Sequence, residues 1–225
     1  TEILWSATSR RLHQLPRIPL RVGADFVVPS TVVRDLGILI DSDVSMRSHV
    51  TRTVSTCFAV LRQLRTIRRS VSRTVIQSLV TSLVLSRLDY GNATLAGIPQ
   101  HLLRRLQSVM NSAARLIYLS SRYDHITPLL RHLHWLKAKE RIDFKLTVLV
   151  YKCMHETAPP YLADELSRSA DSQARCRLRS SSSSSLVVRR TCLSTVGDRS
   201  FPVAASRVWH GLPQHVIAAP SLQVF

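Results

Sequence analysis

Apolar residues in the middle of the chain recur with a helical period. Val50, Val54, Cys57, Phe58, Leu61 and Leu64 follow i, i+3, i+4, i+7 spacing, which predicts a long amphipathic helix starting near Ser45. Arg62, Arg65 and Arg69 fall together on another face of that helix. A second helix is predicted over 72–88, with Val75, Leu79 and Leu83 one turn apart, and Asp89-Tyr90-Gly91-Asn92 ends it. A third begins near Pro99, a residue suited to a first helical turn, with the stripe Leu102, Leu103, Leu106, Met110, Ala113 and Leu116 or Ile117. Thr127-Pro128 opens a short fourth helix. A fifth is predicted over 137–156, stopped by Pro159 and Pro160 because proline cannot continue a helix.

The two ends of the chain carry a different pattern. Residues 3–6, 25–28 and 32–40 have strand character and are punctuated by Pro16, Pro19, Gly23 and Pro29. Three such pieces have little to pair with except each other, so frayed edges are expected. Residues 167–185 are polar and basic and end in a run of serines, the composition of a flexible linker. Beyond it a hairpin is predicted over 186–196. A short helix follows over 201–210, with Gly211 as its stop. The expected fold is mainly α-helical, with a small N-terminal β portion and a short α/β tail after the linker. The predicted segments are 1–44, 45–122, 123–166, 167–185 and 186–225.

Charge sharpens this picture. The chain of 225 residues holds 31 lysines and arginines against 14 acids, a formal net charge of +17, which points to a polyanionic partner. Only Lys137, Lys139, Lys145 and Lys152 are lysines; the rest of the basic residues are arginines, whose guanidinium forks suit phosphate oxygens and base faces. A codon bias toward arginine would weaken the second argument and leave the first intact. Cys57, Cys153, Cys176 and Cys192 are far apart and form no CxxC pair, so neither a zinc module nor a disulfide scaffold is indicated, and an intracellular setting is expected. The longest apolar run, 75–85, is too short to span a bilayer, and no membrane partner is expected.

Catalytic signatures are sparse. No nucleophile elbow and no glycine-rich phosphate loop is present. His132-x-His134 and Cys153-x-His155 could in principle supply four zinc ligands, but positions i and i+2 of a helix point to different faces. Structural histidines are the preferred reading, and no metal site is assigned. Asp41-Ser42-Asp43 follows a predicted strand and precedes a helix, where Asp and Ser satisfy free backbone N–H groups; a turn-and-cap role is expected.

Several short motifs occur in a fixed order: Asp35-Leu36-Gly37-Ile38-Leu39-Ile40-Asp41, Ser86-Arg87-Leu88-Asp89-Tyr90-Gly91-Asn92, His125-Ile126-Thr127-Pro128, His134-Trp135-Leu136, Arg141-Ile142-Asp143-Phe144-Lys145 and Ala158-Pro159-Pro160-Tyr161-Leu162. In this order they resemble the C-terminal part of the reverse transcriptases of non-LTR (LINE-type, jockey-like) retrotransposons. The resemblance implies that 1–44 is the end of a polymerase palm with a primer-grip-like segment around Gly37. It implies a thumb-like helical bundle over 45–122, a post-thumb region over 123–166 and a truncated C-terminal segment. Thr1-Glu2-Ile3-Leu4 looks like the end of the motif that follows the catalytic aspartates, and both chain ends are expected to be cut.

Nucleotidyl transfer needs two metal ions held by carboxylates, and the chain has no Asp-Asp pair. The expectation is therefore a fragment of an RNA-directed DNA polymerase that contributes duplex binding and is inactive alone. Magnesium would serve the intact enzyme, not this chain. The implied partners are a template–primer duplex of RNA and DNA and the missing palm, fingers and endonuclease, in a nuclear or cytoplasmic ribonucleoprotein. The candidate nucleic-acid contacts are Gly37, Arg62, Arg65, Arg68, Arg69, Arg73, Arg104, Arg105 and Arg115. Trp135, Phe144 and Tyr161 are expected as aromatic core. The alternative is a stand-alone, non-catalytic basic helical protein that binds nucleic acid; a third reading, a metal enzyme built on the histidines, has only those histidines behind it.

Overall fold

The computed structural model describes residues 2–167, 186–193 and 195–225. The linker predicted over 167–185 lies, apart from Ser167, outside the described residues. The chain is about 53% helical with two small antiparallel sheets, as the mainly α-helical expectation required. No helix among the described residues is long and apolar enough to cross a membrane. Two compact units form. The first comprises 1–91 and 98–139, and the second 92–97 and 140–225. The first unit thus merges the expected N-terminal β portion, most of the helical bundle and the start of the next segment.

The first unit opens with two hairpins. Strands β1 (Leu20–Val22) and β2 (Asp25–Val27) pair with each other, as do β3 (Val32–Asp35) and β4 (Ile38–Asp41). Three strand expectations are corrected here. Residues 3–6 contribute only a single parallel bridge, Leu4 to Ser30. Strand β1 was not anticipated, because it is only three residues long, lies between Pro19 and Gly23 and is exposed on both faces. The continuous strand expected over 32–40 is broken at Leu36–Gly37 into β3 and β4.

Helices α1 (Arg47–Ile67), α2 (Arg73–Val80), α3 (Ser86–Asp89) and α4 (Gln100–Tyr118) follow. The stripes predicted for α1 and α4 are buried, but that of the second helix is corrected: Val75 and Leu83 are exposed, and the neighbouring positions Ile76, Val80 and Val84 enter the core instead. Val50, Val54, Cys57, Leu61 and Leu64 of α1 and Leu102, Leu106, Met110, Ala113 and Ile117 of α4 are all within the core. Each large side chain so buried contributes roughly 1.5–3 kcal/mol. Burial pushes the Cys57 thiol up to about 11, so this cysteine packs rather than reacts. Ser72 caps α2 by accepting from the Val75 N–H at 3.3 Å. Between α2 and α3 the helix widens to a π-turn over Thr81–Leu85. The hydroxyls of Thr81 and Ser82 donate to the Gln77 and Ser78 carbonyls, and that of Ser86 to Ser82, so they compete with the backbone ladder there.

Helices α1 and α4 run parallel. Near their starts, Arg105 donates to the Thr51 hydroxyl at 2.9 Å. At their ends, Arg68 donates from Nε to the Leu116 carbonyl at 2.9 Å and from Nη2 to the Ile117 carbonyl at 2.8 Å. Its Nη1 lies 3.4 Å from the Val71 carbonyl. Parallel packing brings two carbonyl-rich helix ends together, and a buried guanidinium answers both the unpaired carbonyls and the summed negative dipole ends. Helix α5 (Ile126–His132) then leads to α6 (Ala138–Met154), whose first N–H is capped by the Gln107 side chain at 2.8 Å.

In the second unit, α6 supplies Val150 and Tyr151 to a core with Leu186, Ala205, Trp209 and Ala219. Helices α7 (Pro160–Ala163), α8 (Phe201–His210) and α9 (Gln214–Ile217) belong to this unit. The hairpin expected over 186–196 is absent among the described residues. Leu186 and Val187 instead donate to the His210 imidazole (3.1 Å) and the Ser167 carbonyl (2.8 Å), which spends their backbone groups elsewhere. Trp209 is buried, and Trp135, expected in the core, is half-buried. Phe144 and Tyr161, expected in the core, are exposed. Phe144 lies on the opposite side of α6 from Ile142, Leu146 and Val150.

Arg68→Ala leaves the α4 carbonyl end buried without its donor and is expected to destabilise the first unit by about 2–3 kcal/mol, whereas Arg69→Ala is expected to be near neutral. Urea unfolding followed by circular dichroism checks both. Equal midpoints for the two variants would contradict the assigned role of Arg68.

Candidate nucleic-acid interface

All nine residues singled out from the sequence lie in the first unit. Between Asp43 and Asp124 the chain holds twelve arginines and a single acid, Asp89. Helices α1, α2 and α4 contain no acid at all. Arg62, Arg65 and Arg69 are exposed along one flank of α1 and its end, and Arg73 and Arg104 are exposed as well. The Arg73 guanidinium sits 5.4 Å from the centre of the Tyr118 ring, a cation–π contact that keeps the charge at the surface. Arg105 is half-buried and tied to Thr51. Arg115 is also half-buried: its Nη2 lies 3.4 Å from the Asp124 carbonyl, while its Nε has no hydrogen-bond partner.

Arg68 does not join this set. It is 8% exposed, and its donors are occupied by carbonyls, so it holds helices together instead of facing solvent. The signal was in the spacing. Cys57, Leu61, Leu64 and Arg68 step by four, three and four, which continues the buried stripe rather than the arginine flank.

Gly37 occupies the tip of the β3–β4 hairpin. Asp35 pairs with Ile38, leaving a two-residue turn in which Leu36 and Gly37 have φ of +43° and +86°. Positive φ at both central positions is the type I′ arrangement, and it is unfavourable for leucine. Tyr90 offsets that cost. Its hydroxyl donates to the Leu36 carbonyl, and its ring lies where a side chain at Gly37 would first touch, 3.4 Å from an added Cβ. Gly91, with φ +64°, packs so close that a Cβ would lie 2.6 Å from Ile38 Cδ1. Two of the sequence motifs, the one around Gly37 and the one around Tyr90, therefore meet in space. Sequence reading identified both but not their contact, because nothing in either motif names a partner about fifty residues away.

At the other end of this hairpin the aspartates do cap α1. Asp41 Oδ2 accepts from the Ser45 hydroxyl and the Ser48 N–H, both at 3.2 Å, and Asp43 Oδ1 accepts from the Ser45 N–H at 3.0 Å. Burial pushes Asp43 up, but hydrogen bonds from Ser45 and Ser9 and the charge of Arg47 outweigh it and hold the carboxyl below its ordinary value. Val44 and Met46, on either side of Ser45, adopt left-handed conformations with φ of +53° and +61°. His49 is buried beside it, and its Nδ1 accepts the Leu39 N–H at 3.4 Å. Burial lowers its pKa, against a smaller opposing pull from Asp41. Among the described residues no group of three or more His, Cys, Asp or Glu could hold a metal ion. No family model matches the chain, and no curated protein or solved structure matches it either.

Tyr90→Phe removes the hydroxyl from the Leu36 carbonyl and is expected to cost about 1 kcal/mol, and Gly91→Ala more, because it adds strain at positive φ to a clash with Ile38. Thermal melts of the two variants give the order; a melt of Gly91→Ala at the parent temperature would refute the packing. His49 sets a pH dependence. Its folded pKa is depressed, so only the unfolded chain takes up its proton as pH falls below about 6.5. Stability is therefore full above that pH and declines as acid drives the unfolded imidazole to charge, until the folded pKa is passed. His49→Gln should flatten that part of the stability–pH curve.

Proposed function

We propose that this chain is the thumb-side, C-terminal part of a retroelement RNA-directed DNA polymerase and that its first unit grips a template–primer duplex through the phosphate backbone. The observation that carries this reading is the acid-free surface of α1 and α4, with Arg62, Arg65, Arg69 and Arg104 outward. A rigid pair of helices presenting guanidinium groups without counter-charges binds phosphates irrespective of sequence, as a polymerase must when its substrate slides past. The family resemblance and the docking of its Gly37 turn on Tyr90 support the same assignment.

The chain supplies binding, not chemistry. Asp41 and Asp43 have their oxygens committed to Ser45, Ser48 and Ser9, and among the described residues they join no group of three or more metal-ligating side chains, so they do not suit a pair of catalytic magnesium ions. Nucleotidyl transfer would belong to the intact polymerase.

Duplex affinity measured across a salt series provides the test. The triple variant Arg62→Ala, Arg65→Ala, Arg69→Ala is expected to bind every duplex sequence more weakly and to lower the slope of log K against log salt by up to roughly 3. A slope equal to that of the unaltered protein would remove this flank from the interface.

A further inference from the structure

The first unit contains a cleft of about 370 Å³, at the end of the β3–β4 hairpin remote from the Gly37 turn. Its lining includes the apolar Trp5, Leu15 and Pro29 and the charged Arg17, Arg47 and Asp43. We propose that this cleft receives one unstacked nucleotide from a single-stranded extension of the bound nucleic acid. The inference rests on the reading of the first unit as a nucleic-acid binder and adds a second, single-strand subsite to it.

Three observations carry it. The volume falls in the range of small-ligand sites and accommodates a nucleobase with its sugar. Trp5 is 39% exposed at the cleft although tryptophan usually buries its ring, so an indole face is available for stacking. Arg17 has no acidic partner among the described residues, and Arg47 lines the same cleft, so two guanidinium groups are available to a bound nucleotide's phosphate.

The geometry favours a single-stranded end over a duplex. A base must leave its stack to lie against Trp5, which a terminal extension does at little cost and a paired base does not. An apolar peptide would fill the walls but leave Arg17 without an anion.

Two probes decide the matter in the full chain: a blunt DNA duplex, and the same duplex with a short single-stranded oligothymidine extension. The extended probe is expected to bind about tenfold tighter and to quench tryptophan fluorescence. Trp5→Leu should abolish both the preference and the quenching while blunt-duplex binding persists, and Arg17→Ala, at an exposed position, should weaken the extended probe alone. Equal binding of the two probes by the unaltered protein, or a preference that survives both substitutions, would overturn the proposal. Oligothymidine quenching of Trp5 without any duplex binding would uphold the cleft and sink the duplex-gripping reading instead.

Discussion

Arg68 sits where two parallel helices end side by side, and the first unit depends on it. Antiparallel neighbours place opposite dipole ends together; α1 and α4 place like ends together, which concentrates unpaired carbonyls at one pole. One guanidinium spans that pole, with donors on Leu116 and Ile117 of one helix and an attachment to the end of the other. An arginine that left this position would strand acceptors in an apolar setting, a loss larger than the bonds themselves. The parallel pair it holds is also the surface that carries the outward arginines, so internal and external uses of one residue type are separated by a single helical step, from Arg68 to Arg69.

That separation explains how a strongly cationic unit stays folded. Charge on one flank repels itself, and no acid on α1, α2 or α4 relieves it. Apolar stripes on the opposite faces supply the cohesion, and Tyr118 lends its ring to Arg73. Binding a polyanion would remove the remaining repulsion, so affinity and stability should rise together in its presence.

Much of this was legible in the amino-acid order. The stripes of α1 and α4 are long, periodic and flanked by breakers, so both helices and their buried faces could be read within a few residues. Asp41-Ser42-Asp43 was equally readable, since short polar residues before an apolar period mark a cap. Among the strands β2 was legible, whereas β1 is only three residues long, exposed and set between Pro19 and Gly23, and the Leu36–Gly37 turn was hidden inside a run of apolar residues. Phe144 and Tyr161 looked like core from their chemistry alone; their positions on α6 and α7 decided otherwise. The Tyr90 clamp and the Trp5 cleft depend on contacts between distant segments, which no local pattern encodes.

The Tyr90 clamp has a consequence for how the chain assembles. Its contact closes a loop of 54 residues, and the Arg68 contact closes one of 49. Closing such loops costs chain entropy that grows only slowly with length, but the cost falls before the contact is rewarded. In the unfolded ensemble Leu36 has nothing to hold it left-handed, so the β3–β4 turn is a weak local nucleus. It becomes favourable only when α1, α2 and α3 have brought Tyr90 back to it. The hairpin thus behaves as a latch on a completed bundle: its persistence reports whether the helices beneath it are in place.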